Sequence, residues 1–214
     1  MTRVMTLGEG RIVQISVSPR GVPKLPVPRA RITRLGVEGD GHRRVPYHGG
    51  PERAVCVYAM EAIRALQTEG HRIVPGTLGE NVTIDGLSWD EVVPGRRLLL
   101  GNDVLLEVTS YTTPCRTIMR AFKDRAYGRI SQARHPGWSR LYTRVLAEGV
   151  IAAGESVTWG ASTGPSSPPT FVEPRQSRGA RLIYMGTSTG PQAPRRSAAP
   201  RQSRGAPRYA DRLR

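Results

Sequence analysis

Cysteine is scarce in this chain: Cys56 and Cys115 are the only two in 214 residues. Two thiols cannot build a disulfide framework or a zinc site of four thiolates, so any metal chemistry must lean on one thiolate or on His and carboxylates. Lysine is nearly absent as well, with Lys24 and Lys123 set against 30 Arg. Long apolar runs are missing. The longest, Ala54 to Met60, falls far short of the roughly 20 residues that span a membrane. The opening MTRVMTLGEGR also lacks the apolar stretch of a signal peptide. A soluble, cytoplasmic protein with no membrane association is expected.

What is abundant is positive charge, and it is unevenly spread. The chain carries 32 basic and 17 acidic residues, a net +15, and residues 161–214 hold ten Arg against one Glu and one Asp. About half of the excess therefore belongs to the last quarter of the chain. An Arg bias can also reflect genome composition, so charge alone does not establish nucleic-acid binding. In this last stretch STGP and PRQSRGA recur at an offset of 26 residues. Two copies with no apolar periodic face do not make a solenoid. Pro, Ser, Gly and Arg dominate, and such a composition cannot offset the entropy of ordering the backbone. Residues 161–214 are expected to form a disordered tail, with weak, salt-sensitive nucleic-acid binding as the activity its arginines suit.

Residues 1–160 alternate apolar runs with Gly and Pro punctuation, the pattern of a mostly β domain large enough for one self-sufficient core. Strands are expected at Arg11 to Ser18, Pro28 to Arg34, Ala54 to Tyr58, Asn81 to Ile84, Arg97 to Leu100, Val104 to Tyr111 and Ser156 to Trp159, with a hairpin turn at Asn102-Asp103. Helical spacing picks out Met60, Ile63, Ala65 and Leu66, ending at Gly70, and Trp138, Leu141, Tyr142, Val145 and Leu146, ending at Gly149. A third, shorter helix is expected to start at Pro114 and to pack Ile118, Met119 and Phe122.

Three clusters have the residue types of a site. The first is GVEGDGHRRVPYHGGPERAV, residues 36–55. Its glycines around Asp40 and its Gly49-Gly50-Pro51 turn let backbone amides approach an anion, and Arg43, Arg44 and Arg53 supply cationic partners. An anionic small ligand and a long surface loop are both consistent with it. His42 and His48 with Asp40 suggest zinc only weakly, because no fourth ligand follows at a recognisable spacing. The second cluster is GTLGEN, where Glu80 and Asn81 are uncommon choices ahead of an apolar strand. Satisfying backbone groups at a turn accounts for them without a ligand. The third is TSYTTPCRTIMRAF, residues 109–122. Thr112 or Thr113 can cap a helix whose first position is Pro114. Cys115 then lies in the first turn beside Arg116, where the helix dipole and the guanidinium both favour a thiolate, the state of a nucleophile or soft-metal ligand. Cys56, inside the strand run AVCVY, reads as a small buried hydrophobe.

Five segments in this order resemble the MOSC domain family, named after the C-terminal part of molybdenum cofactor sulfurase. They are GVEGD (36–40), HGGPERAV (48–55), LGEN (78–81), Pro94-Gly95 with LLEV (105–108), and Pro114-Cys115 with its preceding polar turn. The resemblance spans about residues 10–159, is nearest to the short stand-alone bacterial members, and leaves the tail unmatched. It implies a MOSC-type β-barrel with a few short peripheral helices over residues 1–160, binding molybdenum cofactor, a molybdopterin with a dithiolene pair and a phosphate. Cys115 would be the metal ligand and a catalytic residue. Gly49, Gly50, Arg53 and Arg116 would serve the phosphate, and Asp40, His48, Glu80 and Asn81 the pterin edges or the substrate.

The activity implied is that of an oxidoreductase reducing N-hydroxylated small molecules, with electrons from a separate donor protein. His48 is the candidate proton donor, since His titrates near neutrality unperturbed. A persulfide-carrying sulfur-transfer protein and a non-catalytic cofactor carrier are the alternatives. Pyridoxal phosphate is not expected. A Schiff base requires a buried Lys, and Lys24 and Lys123 sit in polar, Pro-flanked or charged contexts.

Overall fold

The computed structural model describes residues 6–41 and 49–160. The expected tail, and the loop segment 42–48 with His42, Arg43, Arg44 and His48, lie outside the described residues. In chain order the elements are β1 (Thr6–Val17), β2 (Leu25–Val27), β3 (Arg29–Thr33), β4 (Gly36–Val37), β5 (Val55–Ala59), α1 (Met60–Thr68), β6 (Val82–Asp85), β7 (Arg97–Leu100), β8 (Val104–Tyr111), β9 (Leu141–Ala147), β10 (Gly149–Ala152) and β11 (Ser156–Gly160). Short 3-10 turns fill several of the connections. No described helix is long and apolar enough to cross a membrane.

Seven of the strands close on themselves in the order β11-β7-β8-β9-β5-β6-β1, with β1 pairing back to β11 and β2 appended to β1. The expected mostly β barrel is the fold observed. Every neighbouring pair in the ring is antiparallel except β5 and β6, which run parallel and need a crossover. α1 lies in that crossover.

The pleat decides which side of the wall each residue faces. Inward go Ile12, Ile15, Val55, Val57, Val82, Ile84, Leu98, Leu100, Leu106, Val108 and Val157, all of them buried in one apolar cluster. A seven-stranded ring filled in this way is a packed core with no room for a ligand. A second cluster lies outside the wall, where Tyr58 meets Ile63 and Leu66 of α1 and Ile118, Phe122 and Ile130 from the segment before β9. The small sheet β10-β3-β4 presses Ala30, Ile32, Val37 and Ile151 against the barrel.

β7, β8, β11 and α1 fall where their periodicity puts them, and the Asn102-Asp103 turn joins β7 to β8 as expected. The expected helix from Trp138 to Gly149 does not form. Its place is taken by β9 followed by β10, in which Leu141, Thr143 and Val145 alternate inward. The spacing of Leu141, Tyr142, Val145 and Leu146 satisfies both periods, and β-branched Thr143 and Val145 tip the choice once β5 and β8 offer a backbone on each side.

The expected helix at Pro114 is instead a six-residue 3-10 turn, Arg116–Ala121. Cys115 precedes that turn in extended conformation, and no side chain caps it. Thr112 is committed to the sheet margin, its amide donating to the Arg140 carbonyl at 2.9 Å. The dipole of so short a turn contributes little at Cys115, so the argument from a helix start loses its basis.

The strand assignment of β9 predicts opposite outcomes at adjacent positions. Val145 is 6% exposed inside the barrel, whereas Leu146 is half-buried outside it. Val145→Asp should abolish cooperative thermal unfolding, and Leu146→Asp should retain it with a modest loss; circular dichroism melts distinguish the two.

Candidate functional site

Residues alternating with the inward set line the outer wall. Tyr142 on β9 stands opposite Cys56 on β5 and Ser110 on β8. The Asn81 amide donates to the Cys56 carbonyl at 2.7 Å, and the Ser16 amide donates to the Asn81 carbonyl at 2.7 Å. Ser16, Asn81, Cys56, Tyr142 and Ser110 thus form one polar rung across five adjacent strands.

At the β1 end of this rung lies a buried ionic knot. Asp40 Oδ1 accepts the Ser18 amide at 2.9 Å, while Oδ2 accepts Asn81 Nδ2 at 2.9 Å and pairs with Lys24 Nζ. Both charged side chains are almost wholly removed from water, at 5% exposure for Lys24 and 4% for Asp40. The polar, Pro-flanked context of Lys24 argued against a buried lysine, and the structure corrects that expectation. The chain around Lys24 lies over β1 and the Gly76 turn, and the Asp40 carboxylate compensates the desolvated ammonium. The Lys24 amide donates to the Gly76 carbonyl at 2.9 Å. Gly76 has φ +85°, and a Cβ there would stand 2.3 Å from the Lys24 carbonyl oxygen, so only glycine fits this approach.

Glu80 and Asn81, uncommon ahead of a strand, are both buried in this structure. Asn81 uses its whole amide. Its Oδ1 accepts the Cys56 amide at 3.1 Å, and its Nδ2 donates to the Ser16 carbonyl at 3.3 Å as well as to Asp40. Glu80 Oε1 accepts the Gly76 amide at 2.7 Å, but Oε2 is buried without a protein partner. Desolvation raises the Glu80 pKa, opposed by the Gly76 hydrogen bond and by the charges of Arg140 and Lys24. Arg140, buried just before β9, donates to the Leu78 carbonyl, and its Nε has no partner either. Arg140 was not singled out from sequence. Its one signal was a lone Arg directly ahead of a strand that is buried at every second position.

At the other end of the rung lies an exposed rim. Gly49 and Gly50 both have φ near +90°, at 90° and 84°, and lead into a 3-10 turn Pro51–Arg53. The Gly50 carbonyl accepts the Arg53 amide at 2.9 Å, which turns exposed Arg53 back so that its guanidinium lies 5.6 Å from the Tyr142 ring centre. Burial pushes the Tyr142 phenol up to about 12, with Cys56 adding to the rise, Arg53 opposing it and Cys115 contributing a small rise of its own. Arg53 and Tyr142 therefore pack against each other at this rim. Cys115 is half-buried and Arg116 beside it is exposed. A cavity of about 270 Å³ opens at the end of β8, walled by Trp89, Tyr111, Gln132, Gly137 and Ser139, and none of the site residues expected from sequence lines it.

The two thiols differ as their sequence contexts suggested. Cys56 is sealed in the wall, where desolvation pushes it up to about 11 and keeps it protonated. Cys115 stands at the rim. Among the described residues no three His, Cys, Asp or Glu side chains come together as a metal cage.

This fold and wall are those of a known family. The MOSC domain family model matches residues 44–158, and the chain belongs to that family. It is 30% identical over 139 residues to the uncharacterized protein YflK of Bacillus subtilis, covering 64% of this chain and 62% of that one. It is also 30% identical over 141 residues to the protein YiiM of Escherichia coli, covering 63% and 61%. The match thus spans about three fifths of the length of these relatives. A protein named reductase from Gibberella moniliformis is 34% identical over 128 residues, which cover 58% of this chain and 22% of that one. Among solved structures, YiiM from Geobacillus stearothermophilus superposes with a TM-score of 0.55 at 26% identity, covering 70% of this chain and 74% of that one.

The buried carboxyl of Glu80 predicts a pH signature. Its pKa is raised in the folded state, so its contribution is full at low pH, where folded and unfolded states are both protonated. It is lost as pH rises above the ordinary carboxylate range through the folded value. Glu80→Gln keeps an acceptor for the Gly76 amide and removes the titration. Relative to the parent, the variant should gain stability as pH rises from about 4 to 8, read from urea midpoints. A parallel pair of curves would contradict the assignment.

Proposed function

We propose that this chain is a molybdenum-cofactor-binding MOSC protein that acts as an oxidoreductase on N-hydroxylated small molecules, with electrons delivered by a separate protein. The observation that carries the reading is Cys115: a half-buried thiol on the segment that follows β8, in a chain whose other thiol is sealed. Family membership and the likeness to a protein named reductase support it.

The donor set suits such a group. A single soft thiolate with no other clustered ligands among the described residues matches a metal already held by a dithiolene pair, which needs only one bond from the protein. The cofactor, when bound, supplies two-electron oxygen transfer from the substrate nitrogen. The chain's own residues bind and orient. Arg53 and Arg116 would pair with the phosphate, together with amides of the Gly49-Gly50 turn. Tyr142, holding its proton, backs the Arg53 guanidinium from the wall. Asp40 and Asn81 fasten residues 40 and 41 to the end of β1, Glu80 holds the Gly76 turn, and His48 is the candidate proton donor.

Three substitutions test the reading. Cys115→Ser exchanges a soft ligand for a hard hydroxyl, so molybdenum content and reduction of a hydroxylamine substrate should both collapse while the thermal midpoint stays, and Cys56→Ser should keep both. Retained metal and turnover in Cys115→Ser would defeat the proposal. Sulfane sulfur on Cys115 with no molybdenum would indicate a persulfide carrier instead, and bound cofactor without turnover a carrier protein. Arg53→Ala should lower cofactor occupancy, since a charge-assisted hydrogen bond is worth about 1.5–3 kcal/mol, roughly tenfold or more in affinity.

A further inference from the structure

The sheet β10-β3-β4 has an outer face that neither the core nor the rim uses. Its inner residues Ala30, Ile32, Val37 and Ile151 are buried against the barrel, so Arg29 and Arg31 of β3 point away from it. Arg31 stands directly opposite Val150 of β10, which is 38% exposed, and Arg29 stands opposite Ala152. On the other flank the Glu38 amide donates to the Arg31 carbonyl at 2.9 Å. Arg29, Arg31, Glu38 and Val150 line a shallow groove of about 370 Å³. At the tip of the β3–β4 turn Leu35 is 76% exposed, next to exposed Arg34.

Charge and composition narrow what this face can meet. Five arginines of the barrel are held in ion pairs: Arg11 and Arg64 with Asp85, Arg97 and Arg144 with Glu107, and Arg129 with Glu69. Arg29, Arg31 and Arg34 make no ion pair with any described residue. Two guanidiniums beside an exposed Val and Leu have the make-up of a protein interface, where Arg and apolar anchors are enriched and Lys is depleted. A nucleic-acid backbone fits less well, because Glu38 lies in the groove and no aromatic side chain lines it for base stacking. A second copy of the chain would bring the same arginines against themselves, in a protein of net charge +15.

We infer that the outer face of the β10-β3-β4 sheet is a docking surface for an acidic protein partner, one presenting carboxylates around an apolar centre. Arg29 and Arg31 pair with the carboxylates, and Val150 and Leu35 cover the centre. The inference stands on this face alone and does not depend on the chemistry at Cys115.

The test compares the full chain with Arg29→Glu/Arg31→Glu. Both positions are exposed, so the thermal midpoint should not move, and the Arg-rich tail is identical in the two proteins. The probes are a short fluorescent peptide of alternating Glu and Leu and a single-stranded DNA oligomer, each titrated at low salt by anisotropy. The parent should bind the peptide and protect β3 amides from hydrogen exchange, and the double variant should bind it about tenfold or more weakly with unchanged DNA affinity. No peptide binding by the parent, equal binding by the variant, or an equal loss of DNA affinity would each overturn the inference. If the double variant fails to fold, Arg29→Gln/Arg31→Gln is read by the same criteria.

Discussion

One side-chain amide, that of Asn81, joins three parts of the chain that are far apart in sequence. It donates to the Ser16 carbonyl of β1 and to Asp40, and it accepts the amide of Cys56 on β5. A carboxylate could not replace it, because two of the three bonds require a donor. Asp40, held in this way, neutralises Lys24 and fixes the start of the glycine-rich loop. On the far side Cys56 stands opposite Tyr142, over which Arg53 lies. The route from the buried knot to the rim therefore passes through one residue.

The wall divides the chemistry cleanly. Its inner side is apolar and filled, and the charged side chains of Lys24, Asp40, Glu80 and Arg140 are buried outside that cluster. Charges of both signs in one desolvated neighbourhood offset one another, whereas any one of them alone would be costly there. Glu80 Oε2 and Arg140 Nε are the atoms this balance leaves without a protein partner. A rigid, dry wall behind a wet rim is also what a site needs if a few exposed side chains are to stay in register.

Much of the architecture was legible from pattern. β7 and β8 alternate cleanly and are joined by an Asn-Asp turn, and α1 has an unmistakable apolar stripe. β9 was not legible, because Leu141, Tyr142, Val145 and Leu146 satisfy the helical and the extended period equally, and only the waiting edges of β5 and β8 decide between them. β10 is four residues long, too short for any period to register. Within the site, the contrast between Cys56 in a strand and Cys115 in a polar turn could be read from neighbours in sequence. Lys24 and Arg140 could not, since what buries them comes from distant segments: Asp40 and Gly76 around the one, Leu78 and Glu80 around the other.

The ring is completed by its first and last strands, with Thr6 opposite Gly160 and Arg11 opposite Ser156. This pairing joins the two ends of the domain and closes the longest loop in it. No stable fragment of the barrel is therefore available partway: a chain stopped before β11 leaves β1 and β7 as open edges around an apolar interior. Folding must wait for the whole domain, and it should be slow and all-or-none, as in other folds dominated by distant contacts.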